Sequence, residues 1–440
     1  MQENIIATDA ENLTDLCTAD LNHDGWNDIV AVSKFSNSIA YYQNQQNNTF
    51  AEAQSTNTDL DDLQSLAPID IDQDGDIDIA TASDDDNIIA YYLNDGQGNL
   101  SSANIISQQV TGAKDLAAGD VDGDGKTDLV SVGNTGNLVY WHKNLGNGNF
   151  DNQLITDSLL RPTAVTITDM DKDGLTDIVI ASETSNMLQI WEYKPTTATI
   201  MPIKNINVAQ PQNFVMAELV RDFVEEILVA SPQSGDVFYY IDNAIPNSDP
   251  IPIQSVFSTL ANPKAVCVAD LDQDGQQDVV SGSYVDGTIA WRRNAWKGGF
   301  NDSHTIMTDA LGIKVLTATD LDNDGDDDIV AASVLDGKIR WFKNKSQKPT
   351  PYTPPSQPDQ PLATIYPNPT QDAIFINFVD DDLDSQYDCQ LFNLSGQLIN
   401  AQTLSNMPVT YWSLENLPAG LYLLRITHED QSQVFRIVKW

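Results

Sequence analysis

The chain has 440 residues, with 64 acidic against 22 basic side chains and a formal charge of −42. So acidic a chain repels phosphate backbones, which excludes nucleic acid as an expected partner. Three cysteines rule out a disulfide framework, and no run of about 18 apolar residues is present to span a membrane.

The first ten residues, "MQENIIATDA", have no basic flank and no apolar core, unlike a signal peptide. The chain is therefore either cytoplasmic or the product of leader removal. From Asp20 the sequence reads "DLNHDGWND", and variants follow: "DIDQDGDID" from Asp70, "DVDGDGKTD" from Asp120, "DMDKDGLTD" from Asp169, "DLDQDGQQD" from Asp270 and "DLDNDGDDD" from Asp320. A degenerate copy, "ELVRDFVEE", starts at Glu218. The seven starts are 50, 50, 49, 49, 52 and 50 residues apart, so one supersecondary unit is repeated seven times. Cys17 and Cys267 stand three residues before a motif, where the third copy has Ala117, and read as small core residues.

Within the third repeat, "AKDLAAGD" predicts a strand, the aspartate loop follows, and "DLVSVG", "NLVYWHKN" and "FDNQLITD" predict three more strands separated by turns. Four short antiparallel strands in about 50 residues make a propeller blade. The third strand carries an aromatic in every copy: Tyr41, Tyr91, Trp141, Trp191, Tyr239, Trp291 and Trp341. These rings are expected between blades, where twisted sheets leave a wedge to fill. The seventh copy has no fourth strand after Asn344, whereas "ENIIATDA" resembles a fourth strand without a blade. Asn4 to Thr8 is therefore expected to close the ring, removing both sheet edges.

Four carboxylates in a nine-residue loop repel one another unless a cation neutralises them. Positions one, three, five and nine offer hard oxygens, glycine at six permits a sharp turn, and the variable position seven can offer its backbone carbonyl. The candidate ligand sets are Asp20, Asn22, Asp24, Trp26 and Asp28; Asp70, Asp72, Asp74, Asp76 and Asp78; Asp120, Asp122, Asp124, Lys126 and Asp128. In the later copies they are Asp169, Asp171, Asp173, Leu175 and Asp177; Asp270, Asp272, Asp274, Gln276 and Asp278; Asp320, Asp322, Asp324, Asp326 and Asp328. Position twelve falls inside a strand as Ala31, Thr81, Ser131, Ile180, Ser281 or Ala331, so these are not EF-hands. Oxygen-only ligands suit calcium, about six ions in all, with a structural role because each loop supplies its own ligands. In the fifth copy Val220 and Phe223 replace a ligand and the turn glycine, and no ion is expected there.

These loops and their spacing resemble the FG-GAP (VCBS-type) repeat family. The resemblance covers residues 1 to about 345 and implies a seven-bladed β-propeller with calcium between the first two strands of a blade. It leaves function open, because the family includes adhesion domains, lectin-like binders and propellers of polysaccharide lyases.

Six residues before the motif stand Lys114, Lys264 and Lys314. They can ring the channel mouth on the face away from the metal loops and meet an acidic sugar, or simply be solvated side chains. His23, His142, His304 and His428 occupy unrelated repeat positions, so no convergent acid and base mark an enzyme, and no catalytic residue is assigned.

Residues 346–362 are proline-rich and read as an extended spacer. Beyond them "DAIFINF", "DCQLFNLSGQLI", "VTYWSL", "GLYLLRIT" and "SQVFRIVKW" predict strands of a small sandwich over 363–440. "YPNP" at Tyr366, "LFNLSGQLI" at Leu391, "LPAGLYLLRI" at Leu417 and the final "RIVKW" resemble the type A C-terminal sorting domain of type IX secretion. That resemblance implies export to the outer surface of a Gram-negative bacterium, contact with the secretion machinery, and a precursor with a leader.

The chain thus reads as all-β: a seven-bladed β-propeller over 1–345, then a small immunoglobulin-like β-sandwich. It is expected to be a secreted or cell-surface, calcium-stabilised monomer that binds an extracellular glycan or protein. The alternatives are a carbohydrate-active enzyme such as a polysaccharide lyase, or a purely structural surface component.

Overall fold

The computed structural model describes residues 1–10, 12–170, 174–219, 225–232, 235–241, 251–257, 260–294, 300–345, 363–366, 373–378, 386–393, 398–405, 410–414, 417–418, 420–428 and 431–439. No helix occurs among them, and therefore none that is long and apolar enough to cross a membrane. The chain divides into two compact units, Met1–Pro349 and Thr350–Trp440. The proline-rich segment 346–362 lies outside the described residues.

The first unit consists of seven four-stranded antiparallel sheets. Six are simple meanders, for example Ala113–Gly119, Asp128–Gly133, Leu138–Gly146 and Asn149–Thr156 in the third blade. The second strand of each blade is covered on both faces, so "DIVAVS" or "DIVIAS" is almost continuously apolar rather than alternating. Seven apolar clusters fill the seven gaps between neighbouring sheets; in one, Leu21, Val30, Ile39 and Tyr41 of the first blade meet Leu63, Ile79 and Tyr92 of the second. The last gap joins Val330 and Trp341 to Leu16 and Ile29 of the first blade.

The seventh sheet takes its outer strand from the other end of the unit. Gln2–Ala7 pairs antiparallel with Lys338–Lys343, placing Asn4 opposite Trp341, and Glu3 accepts a bond from the buried Arg340 guanidinium at 3.0 Å. Both ends of the ring are thereby held by one sheet.

Six of the seven third-strand aromatics are buried, whereas Trp291 is half-buried and stacks on His304 at 4.5 Å. Trp191 departs from the expected common site. Its strand pairs Val179 with Ile190, so Ile190 occupies the position that Tyr41 and Trp141 fill elsewhere. One residue further along, Trp191 points to the opposite sheet face and joins Trp141 in the gap between the third and fourth blades.

A polar stitch joins the blades as well. Near the end of the third strand or just beyond it stand Asn44, Asn94, Asn144, Asn294 and Asn344, all buried. Each side-chain amide donates to the carbonyl of loop position two in the preceding blade: Leu321 at 2.8 Å, Leu21 at 2.7 Å, Ile71 at 3.1 Å, Leu219 at 2.9 Å and Leu271 at 2.9 Å. In the fourth blade Tyr193 stands at this position, and the equivalent in the fifth, Asp242, lies outside the described residues.

The second unit has a three-stranded sheet, Ala363–Tyr366, Ala373–Phe378 and Thr410–Ser413, and a four-stranded one ordered Leu398–Ser405, Gln386–Asn393, Gly420–His428, Gln431–Lys439. One core that includes Ile374, Ile376, Tyr387, Leu391, Trp412, Leu424 and Ile437 draws on both sheets, which makes the unit a sandwich. The run "DCQLFNLSGQLI" supplies parts of two paired strands rather than one, and Ala363–Tyr366 is a strand that sequence patterning did not single out.

Asn94→Ala would leave the Leu21 and Ile77 carbonyls and the Gly98 N–H without their partner. The expected loss is about 2–3 kcal/mol in chemical unfolding. The control is the exposed Asn99→Ala, for which a change within about 0.5 kcal/mol is expected; equal losses for both would refute the stitch.

Candidate functional site

Each aspartate loop is a tight turn held by its own carboxylates. The first aspartate accepts the N–H of the glycine at position six: Gly25, Gly125 and Gly275 at 2.8 Å, Gly325 at 2.9 Å, Gly174 at 3.0 Å and Gly75 at 3.2 Å. These glycines have φ between 81° and 97°, a region costly for side-chain-bearing residues. Position four is also left-handed, as His23, Gln73, Gly123, Gln273 and Asn323. Its side chain reaches the next loop around the ring: Gln73 and Asn323 donate to the Gly125 and Gly25 carbonyls at 2.7 and 2.9 Å, and His23 meets Asp76 at 2.8 Å.

The ninth carboxylate is buried and anchors the turn to the sheet. In the third blade Asp128 accepts the Val121 N–H at 3.3 Å, the Asn144 N–H at 2.7 Å and the Trp141 indole N–H at 3.0 Å. The same backbone bonds recur at Asp28, Asp78, Asp278 and Asp328. Burial pushes these carboxyls up to about 6 in the first three blades and about 7 in the sixth and seventh.

Positions one, three and nine converge. Asp70, Asp72 and Asp78 each bring one oxygen within 4.8 Å of the others, as do Asp120, Asp122 and Asp128; Asp270, Asp272 and Asp278; and Asp320, Asp322 and Asp328. Asp70, Asp122, Asp169 and Asp322 each leave a buried Oδ1 without a hydrogen-bond donor, as expected where a cation is the missing partner. Hard, unpartnered oxygens fit a divalent ion of the calcium type. Position five instead spends one oxygen on the N–H of position seven, from Asp24 to Trp26 at 3.0 Å and from Asp274 to Gln276 at 2.9 Å. The position-seven side chains diverge: Lys126 folds back on Asp124, whereas Gln276 and Asp326 are buried. In the first loop Asn22 is held by Tyr41 Oη at 3.3 Å. Asp171 and Asp173 of the fourth loop, and Val220 and Phe223 of the fifth copy, lie outside the described residues.

Sequence reading missed a second source of positive charge. Lys143, Arg293 and Lys343, one residue before the stitching asparagine, reach the third and fifth carboxylates of their own loops; Arg293 lies 2.6 Å from Asp272 and 2.8 Å from Asp274.

At the opposite end of the innermost strands the register slips in six blades, between Leu13 and Asp15, Leu63 and Ser65, Ala113 and Asp115, Pro162 and Ala164, Pro263 and Ala265, and Ile313 and Val315. The skipped residues are Thr14, Gln64, Lys114, Thr163, Lys264 and Lys314. A bulged residue is re-aimed out of the ladder, and all six, with Gln212 at the matching place in the fifth blade, line one axial cavity of about 320 Å³. Lys114, Lys264 and Lys314 are thus brought together in one collar.

The carboxylates of the cavity are already committed. Asp15 accepts the Leu66 N–H at 3.1 Å, Asp115 accepts the Ser65 hydroxyl at 2.7 Å and the Val165 N–H at 2.9 Å, and Glu183 lies 3.4 Å from Arg161. Lys114 donates to the neutral Gln64 at 2.5 Å, and Lys264 sits 4.2 Å from the Tyr284 ring centre. Desolvation, reinforced by Lys114 and Lys264, lowers Lys314 to about 7.

A further constellation is sealed. Ser131 Oγ lies 2.7 Å from His142 Nε2, and His142 Nδ1 lies 2.6 Å from Asn152, in the order of a nucleophile, base and orienting group. Ser131 and His142 are fully buried between blades, and burial pushes the imidazole down to about 4, so the trio is a neutral structural network.

The Lys314 ammonium gives a signed pH prediction. Its native pKa of about 7 lies below the ordinary 10.5, so between those values the unfolded chain binds a proton that the native chain lacks, and stability rises with pH. Lys314→Met is expected to raise the thermal midpoint at pH 7, with the gain shrinking toward pH 10. A lowered midpoint at pH 7 would contradict a net cost of burying this ammonium.

Among solved structures, the chain is similar to BBS1N in its crystal structure with ARL6DN, soaked with lead: TM-score 0.55 and 13% identity over 78% of this chain and 97% of that one. The Dos1 propeller gives a TM-score of 0.50 and 12% identity, over 76% and 78%. At such identities these likenesses speak for the fold alone. No curated protein matches. The FG-GAP-like repeat family matches at residues 20–81, 70–131, 120–180 and 270–331, together half of the chain, and the secretion system C-terminal sorting domain matches at 364–439. On its repeats, its loops and its sheets, the chain belongs to the FG-GAP-like repeat family and ends in a secretion system C-terminal sorting domain.

Proposed function

We propose that this protein is a secreted or cell-surface propeller, exported by type IX secretion through its tail and stabilised by calcium, whose face away from the metal loops binds an extracellular glycan or protein. The observation that carries this reading is the division of labour between the two ends of the ring. One end gathers self-contained oxygen loops; the other presents the axial cavity with its three lysines.

In the intact loops the side-chain oxygens at positions one, three and nine, carboxylates except for the Asn22 amide of the first loop, would hold the ion, and position five and the position-seven carbonyl could add further hard oxygens. A bound ion would supply positive charge against the carboxylate cluster, and the chain's own groups connect the loop to the sheet. The ninth aspartate carries that restraint into the sheet, and the asparagine stitch carries it to the preceding blade. Oxygen loops of this kind suit an exterior where calcium is millimolar.

The face away from the loops also exposes apolar turns on neighbouring blades: Val285 is 58% exposed, Leu335 62% and Phe35 70%. Exposed apolar groups beside a polar cavity favour a binding face over a purely structural one.

Thermal unfolding of the full chain tests the metal reading. Calcium at about 100 times its dissociation constant adds about 2.7 kcal/mol per site, so several sites raise the propeller midpoint by roughly 10 °C or more. Magnesium, which resists dehydration and demands a smaller octahedron, is expected to give a much smaller rise. A midpoint indifferent to chelation would remove calcium from the account.

A further inference from the structure

The collar follows the logic of the metal loops with the sign reversed. Its lysines come from the third, sixth and seventh blades, so they approach the axis from two opposite sides of the ring, with Gln64 and Thr14 between Lys114 and Lys314 on one arc. No ion pair neutralises any of them among the described residues. The cavity's acids face backbone N–H groups, a hydroxyl or Arg161; Asp15 and Asp115 attract Lys314 and Lys114 through space without a direct bond, and among the described residues Lys314 has no hydrogen-bond acceptor. Three half-buried ammonium groups that converge on an open space repel one another across it, and an anion at the axis would relieve that repulsion.

The rest of the lining narrows the class of anion. The Asn134 and Asn213 amides line the same space, and no exposed aromatic platform is among the lining residues. Amides and ammonium groups together suit a ligand bearing both hydroxyls and a negative group. A volume of about 320 Å³ lies at the lower end of small-ligand pockets, the size of a single residue rather than a chain.

We infer that the axial collar formed by the bulged Lys114, Lys264 and Lys314 is a binding site for one acidic sugar residue, whose carboxylate or sulfate sits among the three ammonium groups. This deepens the proposed binding role and rests on it. The bulge is what makes the site: in regular pairing a residue at this place would lie in the ladder, whereas the extra residue turns its side chain to the axis. Lys114 and Lys264 flank the anion, and Lys314, without an acceptor among the described residues, donates to it.

Isothermal titration of the full chain in calcium would use glucuronic acid as the carboxylated probe and glucose 6-sulfate as the sulfated one. Glucose is the neutral control and glutamate the anion without a sugar ring. The expected result is saturable one-to-one binding of at least one acidic sugar, no measurable binding of glucose, and glutamate weaker by roughly tenfold or more, since the amide contacts are lost. Whether the carboxylate or the sulfate binds tighter identifies the source of the anion. Lys314→Met should weaken binding by roughly tenfold to a hundredfold, as expected for a charge-assisted bond, while the calcium-induced rise in the midpoint stays intact. Lys264→Gln, at the collar's edge, should weaken it as well. Absence of binding by both acidic sugars, or equal binding of glutamate, overturns the inference. An undiminished calcium response in the same samples shows that the metal reading survives such a result.

Discussion

Like charge held at close quarters is the constraint on which this propeller depends. Carboxylates at loop positions one, three and nine come within 4.8 Å of one another in four loops, and the ninth is buried. Left uncompensated, that arrangement would open the loop between the first two strands of each blade. The backbone N–H bonds to the ninth aspartate answer part of the repulsion, and Lys143, Arg293 and Lys343 answer more of it in three blades. The unpartnered oxygens that remain could be satisfied by a cation.

Because the ninth aspartate and the stitching asparagine share a backbone bond, loop and blade interface are one structure. Asn144 gives its N–H to Asp128 and its amide to the Ile71 carbonyl of the preceding blade's loop. Gln73 then spans from the second loop to the third through the Gly125 carbonyl. These bonds tie neighbouring loops together around the rim, while the collar lies at the other end of the innermost strands. The two ends are joined by second strands that are buried on both faces.

The repeat made most of this legible. A period near 50 residues placed the blades, and alternate aspartates with glycine at six marked the loops, because ligand spacing and left-handed turns impose residue types directly. What escaped was set by neighbours rather than by residue type. The asparagine closing "WHKN" and "WFKN" looks like a turn residue within one repeat, and its partner lies in the blade before. The lysines six residues before the motif were visible, but the bulge that turns them to the axis together with Thr14 and Gln64 arises only from strand register. Trp191 shows the opposite failure: matching aromatics by type placed it with Trp141's equivalents, whereas strand pairing assigns that site to Ile190. His142 was visible as a lone histidine, but its bonds to Ser131 and Asn152 arise only when three strands lie side by side.

The most direct test of the central claim is to count the ions. Native mass spectrometry of the full chain, exchanged from calcium-containing buffer and compared with a chelated sample, should show mass increments extending to about six calcium ions, all removed by chelation. A chain that carries no calcium under those conditions would contradict the account, because the clustered carboxylates would then have to be held by the protein alone.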